Sequence, residues 1–475
     1  MPESRNRLSS EGRLVHGFEG MWLRKRDFKA FLGRGCSALK LMARACCRSS
    51  GWIGTRRRAS GQRSPRQIGL MLTTAICSNI CLGSVSAQIA GAPELPGHPD
   101  PMIKGVAIGG FRLVPALNFG TAYDDNIFLQ NKNKQRDASF VVDPSVELHS
   151  DWVRHQLNVD ISATDRRYAR HSDQNTDEYQ IGADGRLDVS RSFPVTGSVG
   201  YGHHVEQRGT PGDTDQSGRY IEYNLLTADA GFSKQFNRLI VALDGGVSNY
   251  RYDAVQVAGA VQNQSFRNRD IYNGSAKLAY QISAITSVYV SGSYNKIKYD
   301  RNVGLVDRGS AGYTVLSGVK FEISRLLHGE IGVGYIKQSF VDKTFSNFSG
   351  LDYGADLQYS PTALTSLTFS ASRSIADSAL IGVPGVLTSK FSIGVNHELL
   401  RTLILTSDIS YSRDTYRGTD RRQDRYVVEF GAKKIFNRYL AAKIGLSRQQ
   451  QDAGGSAGGR RYAGNRVTIG LVVID

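Results

Sequence analysis

The stretch Leu403-Ile404-Leu405-Thr406-Ser407-Asp408-Ile409-Ser410-Tyr411-Ser412 sets Leu403, Leu405, Ile409 and Tyr411 against Thr406, Asp408, Ser410 and Ser412. Period-2 alternation over about ten residues describes a strand with one apolar and one polar face. The same pattern recurs upstream, where Leu157, Val159 and Ile161 alternate with Gln156, Asn158, Asp160 and Ser162. It runs from about Phe111 to Ile474 with connections of two kinds in turn. Short ones fall near 152–154, 191–194, 235–238, 283–286, 324–328, 361–365, 399–401 and 436–438. Long, charged, Gly-rich ones fall near 124–138, 166–177, 203–218, 251–269, 299–310, 338–349, 373–387, 413–424 and 448–462. Eight short and nine long connections join eighteen strands, with sixteen as the alternative count. An even count with unequal connections predicts an all-β fold, a transmembrane antiparallel up-and-down β-barrel with long extracellular loops and short periplasmic turns.

The two faces follow from the alternation. One carries Leu113, Leu117, Phe119, Ile181, Leu187, Val189, Leu243, Val247, Ile393, Val395, Val467 and Ile469. The other carries Asp160, Asp184, Arg186, Asp188, Asp244, Lys320, Asp352, Asp356, Lys390, Glu398, Asp408 and Lys443. A secreted sandwich would turn the apolar face inward, whereas a membrane barrel turns it to lipid and the charged face to a wet lumen. Aromatic residues beside the short turns (Trp152, Phe193, Phe236, Tyr359, Phe436 and Tyr439) suit an interfacial girdle and favour the barrel. Gly197, Gly200, Gly245, Gly246, Ser291, Ser293, Gly332 and Gly334 are read as lumen residues whose small side chains leave the interior open. The competing reading is a barrel closed by its own loops.

The N-terminus divides into three parts. Residues 1–66 form a basic extension, read as an overlong start assignment, with a true extended leader as the alternative. Residues 67–87 read as a signal peptide: five arginines, Arg56 to Arg66, precede a short apolar run, and Val85-Ser86-Ala87 places cleavage after Ala87. Residues 88–110, with Pro93, Pro96, Pro99 and Pro101, read as a periplasmic linker. The chain of 475 residues has a formal charge of +16, but residues 1–87 hold 16 of the 59 basic and 4 of the 43 acidic side chains, leaving +4 in the remainder. The basic balance therefore belongs to the leader, and nucleic-acid binding loses its support. All five cysteines (Cys36, Cys46, Cys47, Cys77 and Cys81) lie there too, which excludes disulfide scaffolds and thiolate metal sites from the exported part.

Few residues suggest chemistry. His171-Ser172-Asp173 and His203-His204 stand in or beside long loops without a third catalytic partner, and His155 and His397 lie near the short turns. No enzyme activity, cofactor or metal is expected. The arginines of the long loops (Arg413, Arg417, Arg421, Arg422, Arg425, Arg460 and Arg461) read as solvated charge, or as contacts for lipopolysaccharide or an acidic polymer. Tyr123-Asp124-Asp125-Asn126-Ile127-Phe128 is the most distinctive local segment. Its oxygen-rich centre invites a Ca²⁺ reading but lacks calcium-loop spacing; an Asx turn leaving the first strand is the simpler account.

That segment, after Leu113-x-Pro115-x-Leu117, resembles the start of the second of the "putative beta-barrel porin" groups of Gram-negative outer membranes. The likeness extends through Arg166-Arg167-Tyr168 and Asp177-Glu178-Tyr179. The resemblance implies an outer-membrane barrel of the polysaccharide-export-associated type, giving a secreted polymer its route across the membrane. It supplies no catalytic residues. The implied partners are outer-membrane lipid and lipopolysaccharide, the barrel-assembly machinery and a periplasmic polysaccharide-export protein. A small-solute diffusion porin and a non-conducting adhesion scaffold are the alternatives. One departure is the closing Leu471-Val472-Val473-Ile474-Asp475, where outer-membrane barrels commonly end in an aromatic residue.

Overall fold

The computed structural model describes residues 105–474 apart from 214–217, 258–259, 301–305, 325, 381 and 456–457. The N-terminal extension, the signal peptide with Ala87 and residues 88–104 of the linker lie outside the described residues.

The elements are nearly all strands. β1 (Val106–Ile108) and β2 (Phe111–Asp124) open the fold, followed by β3 (Asp137–Ser150), β4 (Gln156–Tyr168), β5 (Thr176–Ser190), β6 (Phe193–Val205), β7 (Glu222–Phe236) and β8 (Leu239–Tyr252). A small hairpin, β9 (Val255–Val257) with β10 (Ala260–Gln262), stands inside one long connection. Then come β11 (Arg269–Gln281), β12 (Thr286–Tyr299), β13 (Ser310–Ser324), β14 (Leu327–Phe340), β15 (Phe348–Thr362) and β16 (Thr365–Ala376). The last five are β17 (Val386–Leu400), β18 (Leu403–Tyr416), β19 (Arg422–Asn437), β20 (Leu440–Gly454) and β21 (Tyr462–Ile474).

Each wall strand pairs antiparallel with its sequence neighbours, β8 pairing with β11 past the small hairpin. β21 returns to β2, from Ala116↔Ile474 to Asp124↔Arg466, and closes the sheet. The result is an eighteen-stranded barrel, as the alternation and connection count predict. Closure leaves no open edge in the barrel wall, the condition a strand structure must meet in hydrocarbon.

The linker prediction needs one amendment. Its last residues extend the sheet: β1 pairs with β2 from Val106↔Leu113 to Ile108↔Phe111. Gly109, at φ +60°, makes the two-residue turn, a conformation that glycine adopts without steric cost.

The faces follow strand parity. Ile181, Val199, Leu243, Val290, Ile331, Val333, Ile393 and Ile469 are exposed on the outer surface. So are Trp152, Phe236, Tyr359, Phe436 and Tyr439 at the short-turn end. Tyr123, Tyr179, Tyr201, Tyr272, Tyr294, Tyr313 and Tyr335 form a second exposed ring toward the long loops. From Phe193 to Tyr201 a tilted strand rises about 20 Å, close to the apolar band of outer-membrane barrels. Two residues read as lumen glycines sit on the other face: Gly197 shares parity with exposed Val199, and Gly245 with exposed Leu243. A glycine has no side chain to declare its face, so only its position on the strand assigns it. Inward glycines do pair across strands, as Gly182↔Gly200 and Gly318↔Gly332.

Candidate functional site

The inward wall below the loops is polar and dispersed. Asp160 on β4, Asp184, Arg186 and Asp188 on β5, Asp244 on β8, and Asp352 and Asp356 on β15 all alternate with outward apolar side chains. So do Lys390 and Glu398 on β17, Asp408 on β18 and Lys443 on β20. These eleven residues are spread around the wall and do not converge on one centre. Asp184, Asp356, Lys390 and Asp408 are solvent-exposed within the interior, whereas Asp352 and Glu398 are buried. Local pairs include Arg186 Nε to Asp188 Oδ1 at 2.8 Å, and Lys277 Nζ to Glu330 Oε1 at 2.7 Å. The Lys277 ammonium also lies 4.1 Å from the Tyr289 ring centre. Small hydroxyls fill the gaps, with Ser370 and Ser392 Oγ atoms 2.7 Å apart.

The long-loop end is built differently. A set of charged side chains there is enclosed and paired, while others, such as Lys132, Arg170 and Arg461, stay exposed. Residues 206–213, in the connection from β6 to β7, touch elements all around the mouth. Arg208 Nη2 donates to Gln174 Oε1 at 2.6 Å, and its guanidinium lies between the Phe128 and Tyr220 rings, 5.1 and 4.7 Å from their centres. The Gly209 carbonyl accepts from Arg425 Nη1 of β19 at 2.8 Å. The Pro211 carbonyl accepts from the Ala379 N–H at 3.1 Å, and the Gly212 carbonyl from Arg267 Nη1 at 2.9 Å. Asp213 Oδ2 meets Arg460 Nη1 at 3.2 Å. β19 and the connection after β16 stand on the far side of the barrel from β6 and β7, so this segment crosses the mouth. Gly209 is essential to its path: its φ is +79°, and a Cβ there would collide with the Tyr462 hydroxyl.

A second inward-folding segment follows β16. Ser378, Ala379, Val383 and Val386 are buried, and Val383 and Val386 pack on Tyr416. At its start Asp377 gathers four donors. Its Oδ1 accepts from Tyr299 Oη at 2.8 Å and Arg308 Nη2 at 3.1 Å. Its Oδ2 accepts from Arg267 Nε at 3.1 Å and Arg269 Nη1 at 3.2 Å. Burial would raise this carboxyl, but Arg269, Arg267, Arg308 and the Tyr299 hydroxyl overcome it and hold Asp377 well below the usual range. At Asp213 the balance is reversed. Burial outweighs Arg460, Arg208 and the Gly209 N–H, and pushes the carboxyl up to about 6.

The solvated reading holds for the exposed Arg422 and Arg461 but needs correction for Arg421, Arg425 and Arg460. Arg421 is 6 % exposed and stacks on Tyr416 at 4.6 Å. Arg425 pairs at 2.8 Å with Asp414, which is fully enclosed, and the Arg460 side chain is largely enclosed beside Asp213. Arg422 and Arg413 remain partly exposed. A long loop that folds inward desolvates its charges, and they persist only when paired.

The Tyr123–Phe128 segment serves the seam between first and last strands. Asp124 Oδ1 accepts from the Asn126 N–H at 2.9 Å, the Asx turn expected. Asn126 is wholly enclosed and donates to the Gln130 and Ala463 carbonyls at 2.8 and 3.1 Å. Asp125 accepts from the backbone and side-chain nitrogens of Asn465 at 2.7 and 2.6 Å, and Asp124 pairs with Arg466. Its carboxylates are engaged by protein donors, and Phe128 carries the seam into the loop layer through Arg208. Only one described trio, His203, Glu222 and Asp253 on the outward side of the rim, has the side chains and spacing to hold a metal ion. Neither this trio nor the Asp377 cluster has a sequence signature, because strand ends and long connections far apart in the chain supply their members.

The family model "Putative beta-barrel porin 2" matches residues 100–474. The chain belongs to this porin family. Solved structures with a similar barrel include the FrpB iron transporter of Neisseria meningitidis in its apoprotein form. Identity is 9 %, coverage is 79 % of this chain and 82 % of that one, and the TM-score is 0.41. The siderophore receptor PiuA of Acinetobacter baumannii aligns at 9 % identity over 78 % and 82 % of the two chains, with a TM-score of 0.42. The siderophore receptor PirA of the same species aligns at 7 % identity over 78 % and 81 %, with a TM-score of 0.43. No curated protein matches the chain.

Proposed function

We propose that this porin-family barrel is a conduit in the outer membrane of a Gram-negative bacterium, passing a hydrophilic polymer of the secreted-polysaccharide class. The observation that carries this reading is the division of the interior into two zones. Below the loops, an eighteen-stranded wall presents small and hydrophilic side chains, including the solvent-exposed Asp184, Asp356, Lys390 and Asp408. Barrels of this size leave room for an aqueous channel. Above it, residues 206–213 and the segment after β16 close the mouth. The conduit is thus shut at rest and opens when this layer yields.

Lipopolysaccharide around the rim, the assembly machinery and a periplasmic polysaccharide-export protein are its proposed partners. The polymer itself is inferred from the family likeness. Deleting the gene should leave exopolysaccharide trapped in the periplasm; unchanged surface polymer would refute the export function. The buried loop layer also favours a second reading, a closed barrel displaying its loops as an adhesion scaffold. That version predicts lost surface attachment on deletion with normal polymer export.

A further inference from the structure

Four donors converge on the Asp377 carboxylate from two wall strands and two connections, a set that suits a planar or tetrahedral oxyanion. We propose that this Arg267–Arg269–Arg308–Tyr299 cluster is a binding site for an anionic group on the transported solute, a carboxylate, sulfate or phosphate, and that Asp377 occupies it from within while the mouth is closed.

Charge supports this. Three buried guanidiniums face Asp377 and one further carboxylate, Glu206, which lies 3.4 Å from Arg267, so the cluster keeps a surplus positive charge. Hydrogen bonding supports it independently. Arg308 is 2 % exposed, yet its Nε and Nη1 have no acceptor among the described residues, and the buried Tyr250 hydroxyl also lacks a partner. Such donors cost free energy unless some state of the protein supplies an acceptor. The cations are held in place without the carboxylate. Arg267 lies 4.0 Å from the Tyr252 ring centre, Arg269 4.2 Å from that of Tyr250, and Arg308 4.8 Å from that of Tyr299.

Asp377 belongs to the part that moves in this scheme, as do Glu206 and the Gly212 carbonyl, which also meet Arg267. It begins the segment whose Ala379 N–H holds the Pro211 carbonyl, and Arg308 Nη2 also binds the Ser378 carbonyl at 2.9 Å. An incoming anion that takes the four donors releases Asp377. The Ala379–Pro211 contact then loses its anchor, and an anion that draws Arg267 away from Glu206 and the Gly212 carbonyl loosens the same side of the crossing segment, leaving it held by Arg425, Arg460 and Gln174. An acidic solute would open its own passage, whereas a neutral one would not.

The inference rests on the conduit reading, and the test separates their failures. Purified full-length barrel is studied in planar bilayers at constant ionic strength with sodium chloride, phosphate, oligogalacturonate or maltooligosaccharide. Oligogalacturonate should raise open probability about tenfold, the effect of replacing one charge-assisted bond, while maltooligosaccharide leaves it unchanged. Phosphate acting equally well supports the site and assigns it to free anions; phosphate without effect assigns it to acidic sugars. Asp377→Asn should open the barrel without added anion, and Arg308→Gln should abolish the response. Arg308→Lys keeps the charge should the glutamine variant fail to fold. Conductance that is indifferent to every anion overturns the site and leaves the conduit standing. No conductance in any variant, including Asp377→Asn, overturns the conduit itself.

Discussion

Replacing Asn126 with alanine tests the seam at single-residue resolution. The side chain is 0 % exposed and makes three hydrogen bonds. Nδ2 donates to the Gln130 and Ala463 carbonyls, and Oδ1 accepts from the Gln130 N–H at 2.9 Å. At about 1 kcal/mol net for each, Asn126→Ala should cost about 3 kcal/mol, more if the Gln130 N–H is left enclosed without an acceptor. Asn126→Asp keeps the acceptor but aims a buried carboxylate at two carbonyls, so its loss should be larger. Asp125→Ala removes a mostly exposed contact with Asn465 and should cost no more than about 1 kcal/mol. Urea unfolding in lipid vesicles, followed by circular dichroism and by heat-modifiable gel mobility, measures all three. Wild-type stability in Asn126→Ala, together with a calcium-reversible collapse of Asp125→Ala, would refute the seam account and restore the ion-loop reading.

Further predictions address the faces, the layer and its pH response. Ile393 and Ser392 are chain neighbours on opposite faces, and Ile393 is exposed on the outer wall. Ile393→Arg should destabilise the barrel in lipid by about 2–4 kcal/mol and Ser392→Arg far less; equal effects would contradict the face assignment. Arg425→Gln strands the enclosed Asp414 carboxylate and releases the Gly209 carbonyl, so the mouth should open and the melting temperature should fall. The Asp213 carboxyl rises from 3.8 to about 6 when the mouth is closed, so its protonated form favours closure. That contribution is complete below pH 3.8 and is lost as pH climbs to about 6, at most ~3 kcal/mol. Asp377 is shifted the other way and weakens closure only below its ordinary range, so the two do not overlap. Bilayer recordings should show closure relaxing as pH rises from 3.8 to about 6, and Asp213→Asn should abolish the change.

The wall was legible because period 2 is a local property. Leu403 to Ser412 declares both faces of its strand without reference to any other residue, and repetition yields the count and closure. Gly197 and Gly245 escaped because polarity, the signal that sorts faces, is absent from a glycine. The loop layer escaped for a different reason. Asp377, Arg267, Arg308 and Arg425 look in sequence like the solvated charges of any surface loop. Their burial depends on which loops meet across the mouth, and that is set by barrel circumference and loop path rather than by neighbours in the chain. The Tyr123–Phe128 segment lay between these cases: its Asx turn could be read locally, but its bonds to Ala463 and Asn465 required knowing that the first and last strands adjoin.

Trimming the crossing segment tests the central claim most directly. The Glu206 N–H donates to the Ile221 carbonyl at 2.7 Å, so a tight turn can join β6 and β7 with residues 207–219 replaced by Gly-Ser. In planar bilayers the wild-type barrel should reside mostly in a closed or low-conductance state, and the trimmed barrel should show stable steps several times larger, as an unobstructed eighteen-stranded wall requires. A correctly folded trimmed barrel that conducts no better than wild type would contradict the account of a hollow wall closed by its own loops.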